Sequence, residues 1–95
     1  MTDSKTIRID KFLWSVRLYK TRSIASDECR KGRIIINNVQ VKPSRYIQKN
    51  EIIIVKKPPL CFSYRVIEPI EKRVSAKLVE KFINATQPFL ATLKF

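Results

Sequence analysis

The sequence predicts an α+β fold: a two-helix hairpin packed on a small, mostly antiparallel sheet, with a further helix near the C-terminus. Three observations carry that expectation. Ile9, Phe12, Leu13, Val16 and Tyr19 recur at the i, i+3, i+4, i+7, i+10 spacing of an amphipathic helix. A second helical stretch ends at Gly32, the only glycine in the chain. Beyond it come short β-branched runs punctuated by Asn, Pro and Lys.

In chain order, residues 1–7 read as a disordered start. The first helix spans Arg8 to Tyr19, with Asp10 in its first turn, where a carboxylate suits the helix dipole or a nearby arginine. Trp14 and Leu18 fall off the apolar stripe and supply a second packing surface, placed to meet the C-terminal segment. Lys20-Thr21 leaves room only for a turn, so the next helix folds back on the first. That helix opens at Thr21 or Ser23, either of which can cap it, and Gly32 fits the left-handed position past its end.

Ile34 to Val41 reads as two short strands turning at Asn37-Asn38, residues that tolerate positive φ. Pro43 interrupts the pairing in a basic loop, Lys42-Pro43-Ser44-Arg45. Glu51 to Val55 is a further strand, and after Lys56-Lys57-Pro58-Pro59 the run Cys61 to Ile67 pairs with it. Ser75 caps a final helix reaching about Asn84 that buries Val74, Leu78, Phe82 and Ile83. These elements divide the chain into a domain over 8–57 and a strand-helix extension over 58–95 packed on it.

Twenty Lys/Arg against eight Asp/Glu give a net charge of +12, the footprint of a polyanion binder. Residues 1–57 carry fourteen of the cations and five of the acids, so binding is expected in the first part. Lys20 and Arg22 flank the start of the second helix, where free amide N–H groups and the positive dipole end favour a phosphate. Arg22, Ser26 and Arg30 recur every fourth residue in one row, continued by Lys31 and Arg33. Tyr19, Trp14 and Tyr46 are candidates for stacking on unpaired bases.

The chain has no histidine, no CxxC spacing, no glycine-rich phosphate loop and only scattered carboxylates. Neither an enzyme, a metal site, a cofactor nor a disulfide framework is expected, and Cys29 and Cys61 are expected to be idle thiols. No apolar run approaches a membrane span and the first residues lack a signal-peptide core, so no membrane partner and a cytoplasmic location are expected.

Arg8-Ile9-Asp10 opening one helix, Thr21-Arg22-Ser23-Ile24-Ala25 opening the next, then Gly32, Ile34-Ile35-Ile36-Asn37-Asn38 and Lys42-Pro43-Ser44, resemble the S4 RNA-binding domain family over residues 8–55. The family usually has glycine where Asn38 stands. Asp10-Lys11-Phe12-Leu13-Trp14 and Arg17 to Arg22 further resemble its subfamily of small ribosome-associated heat-shock proteins.

The resemblance implies the S4-type (alpha-L) fold and non-catalytic binding of structured RNA. It implies ribosomal RNA of the large subunit as the partner, in ribosome rescue or quality control under stress. Carried onto matching positions, it makes Arg8, Lys11, Lys20, Thr21, Arg22, Ser23, Arg30, Lys31, Arg33, Lys42, Ser44 and Arg45 the RNA surface. Two other readings fit the composition. A protein-interaction adaptor would use Trp14, Leu18 and the apolar stretch Phe89 to Phe95, and charge alone equally suits DNA.

Overall fold

The structure is a computed structural model that describes residues 6–85 and 89–90. Strand β1 (Ile7–Arg8) leads directly into helix α1 (Ile9–Ser15), and α2 (Arg22–Arg30) packs back on α1 as a hairpin. Strands β2 (Ile34–Ile36) and β3 (Val39–Gln40), then β5 (Ile52–Lys57) and β6 (Leu60–Val66), form antiparallel hairpins in one sheet. β4 (Tyr46–Ile47) leaves that sheet to pair with β1, Ile7 opposite Ile47. A 3-10 helix over Ala76–Lys81 precedes β7 (Ile83–Ala85), and both β7 and β8 (Phe89–Leu90) add to the outer edge of β6.

Both helices end in the same way. Gly32 sits at φ 76° past α2, with its N–H on the Cys29 carbonyl and that of Arg33 on Glu28, the paired bonds of a Schellman motif. Past α1 the left-handed residue is Arg17, at φ 62°, with its N–H on Trp14 and that of Leu18 on Leu13. A non-glycine pays a steric cost there, and the Arg17 side chain offsets it by donating from Nε to the Val74 carbonyl at 2.6 Å. The first helix therefore stops at Ser15, short of Tyr19. Tyr19 still enters the core, 8% exposed.

Ile9, Phe12, Leu13, Ile34, Ile47 and Ile53, all 0% exposed, interlock between the hairpin and the sheet. Each contributes about 1.5–3 kcal/mol by leaving water. Asn37 and Asn38, at φ 54° and 64°, make the two-residue β2–β3 turn.

Two further expectations need correction. Ile7 is 4% exposed and paired in β1, so the order begins before residue 8; residues 1–5 lie outside the described ones. The α-helix expected from Ser75 to Asn84 is a 3-10 helix followed by a strand. Ser75 supplies no side-chain cap, and Leu78 N–H returns to the Ser75 carbonyl in an i+3 bond. Of the set Val74, Leu78, Phe82 and Ile83 expected to be buried, Leu78 stays 41% exposed. The free edge of β6 instead takes Ile83 opposite Val66, which leaves Ile83 5% exposed.

The segment before the 3-10 helix is clamped to α1. Ser15 Oγ donates to the Glu71 carbonyl at 3.0 Å, Val74 N–H donates to the Ser15 carbonyl at 3.0 Å, and Arg73 Nε donates to Trp14 at 3.3 Å. The Arg73 guanidinium lies 5.6 Å from the centre of the Trp14 ring, and Leu18 packs on the core, which is the second packing surface expected of both.

A Cβ at Gly32 would stand 2.8 Å from the Gln40 amide and hold a left-handed φ. Gly32→Ala is expected to destabilise the protein by about 2 kcal/mol in urea unfolding, and by less when Gln40 is also alanine. An unchanged midpoint would show that neither strain nor contact matters there.

Candidate nucleic-acid interface

The first turn of α1 has N–H groups without helical partners and no side-chain cap. The basic loop fills that need: Ile9 N–H donates to the Arg45 carbonyl at 2.7 Å and Asp10 N–H to Pro43 at 3.4 Å. Residues 42–45 are thereby fixed against α1.

Asp10 is 2% exposed and gathers the surrounding donors. Its Oδ2 accepts from Arg8 Nη2 at 3.1 Å and from Ser26 Oγ at 2.8 Å, and its Oδ1 lies 3.5 Å from Arg22 Nη2. Burial pushes the Asp10 carboxyl up, but the Ser26 hydroxyl, Arg22 and Arg8 outweigh it and hold the group below its ordinary range. The two guanidiniums stay 41% and 45% exposed, so each is held from beneath while its outer donors face solvent.

The Arg22, Ser26, Arg30 row therefore runs over Asp10 and on into an open cleft of about 540 Å³. Arg8, Arg30, Lys42 and Ser44 line it, together with Gly32 and Gln40, and none of its lining residues is acidic. Arg30 pairs with Asp27 at 3.0 Å, yet both side chains are more than 60% exposed. Such a surface pair is worth roughly 0.5 kcal/mol, so it holds Arg30 only weakly.

Other expected residues fall into separate groups. Thr21 caps α2 by accepting from Ile24 N–H at 3.1 Å, which leaves the N–H groups of Arg22 and Ser23 at the helix start, beside exposed Lys20 and Ser23. Lys31 and Arg33 converge on half-buried Glu28, at 3.5 and 3.2 Å. Lys11 stands 3.9 Å from Glu71, on the α1 side.

Arg45 turns inward, donating to Glu51 at 2.8 Å and to the Tyr46 carbonyl at 2.9 Å. Glu51 also accepts from Gln48 N–H. Burial raises the Glu51 carboxyl, but these bonds hold it below its ordinary range. Arg45 thus secures the loop that Lys42 and Ser44 present.

Of the aromatic candidates, Tyr19 is in the core beneath Lys57, Trp14 lies under Arg73, and Tyr46 stands out, 58% exposed. Cys29 and Cys61 are both buried; burial, then Asp10, pushes the Cys29 thiol up to about 12, which keeps it protonated. Sequence reasoning missed Gln40 and the hub role of Asp10. The one available signal for Asp10 was a lone carboxylate between Arg8 and Lys11, next to a core isoleucine.

Residues 7–53 match the model of the S4 domain. This part of the chain belongs to the S4 domain family. Around it, 84 residues, 88% of this chain, are 33% identical to the Heat shock protein 15 homolog of Aeromonas salmonicida and span 64% of that protein. The RQC P-site tRNA stabilizing factor of Listeria innocua is 35% identical over 54 residues, which span 57% of this chain and 59% of that one. The trimeric structure of Vibrio cholerae Heat Shock Protein 15 superposes with a TM-score of 0.80 at 26% identity, over 86% of this chain and 83% of that one. The chain thus spans somewhat under two thirds of these curated relatives. The S4 fold and the likeness to the heat-shock subfamily, both expected from the motifs, are shown by these matches. Among the described residues no helix is long and apolar enough to cross a membrane.

Removing the Asp10 carboxylate leaves two arginines and the Ser26 hydroxyl without a shared partner. Asp10→Ala is expected to cost about 2–3 kcal/mol, below the roughly 3–5 of a fully buried pair because the arginines reach water. The depressed folded-state value makes this contribution present above the ordinary Asp value of 3.8 and lost as pH falls through the lower folded one. The gap in urea midpoint between wild type and Asp10→Asn, full at about pH 6, should therefore narrow progressively as pH falls below 3.8. A gap that stays constant across that range would contradict the role given to Asp10.

Proposed function

We propose that this chain binds structured RNA without catalysing a reaction, its target being ribosomal RNA of the large subunit during ribosome rescue or quality control under stress. The observation that carries the reading is the Asp10-centred face: Arg8 from β1, Arg22 and Arg30 from α2, and the Lys42–Ser44 loop, three separate segments, gather around one carboxylate and one cleft. Such a face offers fixed cationic donors at several separated points, which suits the bent backbone of folded RNA. The deep major groove of an A-form helix is closed to side chains, so phosphate position and shape provide the recognition.

Membership of the S4 domain family supports RNA as the polyanion. The names of the relatives, Heat shock protein 15 and RQC P-site tRNA stabilizing factor, support a place on the ribosome and in the response to stress. A cytoplasmic location follows from that role.

The adaptor reading draws less support. Arg73 covers the Trp14 ring and Leu18 packs on the core, so neither offers an open docking face. The side chains of Phe89 to Phe95, its other element, lie outside the described residues. DNA shares the charge but lacks the 2′-hydroxyls and junction shapes of RNA.

Titration against large-subunit RNA fragments at several salt concentrations tests the reading, with duplex DNA as competitor. Arg22→Ala and Arg30→Ala are each expected to weaken binding and to lower the slope of log K against log salt by about 0.7–0.9, one phosphate contact. Unchanged slopes, or equal affinity for DNA, would contradict it.

A further inference from the structure

The cleft beside the Asp10 face holds one polar group that phosphate binding does not use. A Cβ built on Gly32 would meet the Cδ, Nε2 and Oε1 atoms of Gln40 at 2.8, 2.8 and 3.0 Å. Three nearly equal distances place the amide flat on the glycine backbone. Its donor and acceptor edges are left free, and neither makes a hydrogen bond among the described residues. Gly32 therefore does two things here: it takes the left-handed φ that ends α2, and it leaves room for an amide that any larger residue would displace.

Around that amide stand Arg8, Arg30, Lys42 and Ser44. Arg8 spends Nη2 on Asp10, while its Nε lies buried without an acceptor. The space, an open cleft of about 540 Å³, is large enough for a single nucleotide.

The geometry points to Gln40 as a specificity-determining residue that reads one unpaired nucleotide of the bound RNA. The nucleotide's phosphate lies on Arg30 and Lys42, and its base edge meets the free amide. An amide side chain can donate to and accept from one base edge at once, and unpaired RNA bases expose such edges. The inference rests on the RNA-binding reading and adds base recognition to a site otherwise specific for shape.

The test uses five fluorescent RNA hairpins of equal stem length, one fully paired and four carrying a single bulged A, G, C or U. Each is titrated by anisotropy at two salt concentrations against wild type, Gln40→Ala and Lys42→Ala. Gln40 is exposed on an edge strand, so its truncation retains the fold, which melting curves check. Wild type is expected to bind one bulged hairpin roughly tenfold more tightly than the paired one. Gln40→Ala should reduce that preference to under about twofold with the paired-hairpin affinity and salt slope unchanged, whereas Lys42→Ala should weaken every hairpin and lower the slope.

A wild type that binds all five alike in a salt-dependent way overturns the nucleotide site and leaves the RNA reading standing. So does a preference that survives Gln40→Ala. Failure to bind any hairpin, together with failure to bind the ribosomal fragments, overturns both.

Discussion

A carboxylate closed off from water in a strongly basic protein has to be surrounded by donors, and Asp10 is that carboxylate. Desolvation alone would raise its pKa; Ser26, Arg22 and Arg8 outweigh that and hold it below the ordinary range. In return it fixes two guanidiniums that would otherwise be mobile and mutually repelling. An arginine already held through one Nη2 would lose less freedom on meeting a phosphate, because part of its ordering is done during folding. The residue thus links core to surface: its backbone belongs to the helix that buries Ile9 and Phe12, and its side chain sets the pattern of charge outside.

The same economy appears in how the basic loop is held. The carbonyls of Pro43 and Arg45 satisfy the N–H groups that open α1, and Arg45 spends its guanidinium on Glu51. One cation of the loop is structural so that Lys42 and Ser44 can face the cleft. The short β1–β4 ribbon completes the arrangement, because pairing Arg8 with Tyr46 brings the N-terminal arginine to the loop that follows β3. Residues 71–74 clamp the end of α1, and Arg73 lies over Trp14.

Most of the architecture was legible because its signals are local. The apolar spacing from Ile9, the Thr21 cap, Gly32 and the Asn37-Asn38 turn each act within a few residues of themselves. What stayed hidden depends on partners distant in sequence. Arg17 ends α1 in a conformation that glycine usually takes, and it is held there by a carbonyl 57 residues away. β1 and β4 are two residues long, too short for any alternation to show. The final helix was expected from a cap and a period of 3.6, while the unfilled edge of β6 favoured a strand.

The site followed the same division. The Arg22, Ser26, Arg30 row was visible as a spacing and Asp10 as suited to the helix dipole or a nearby arginine, but not that this one carboxylate would join Arg8, Arg22 and Ser26; Arg45 read as a surface cation although its guanidinium serves the fold.

Photo-crosslinking the protein to large ribosomal subunits and identifying the peptides joined to RNA tests the central claim most directly. Attachment within residues 8–33 and 42–46, lost on replacing Asp10, is the predicted result. Attachment confined to residues 60–85, with the Asp10 face unmodified, would contradict it.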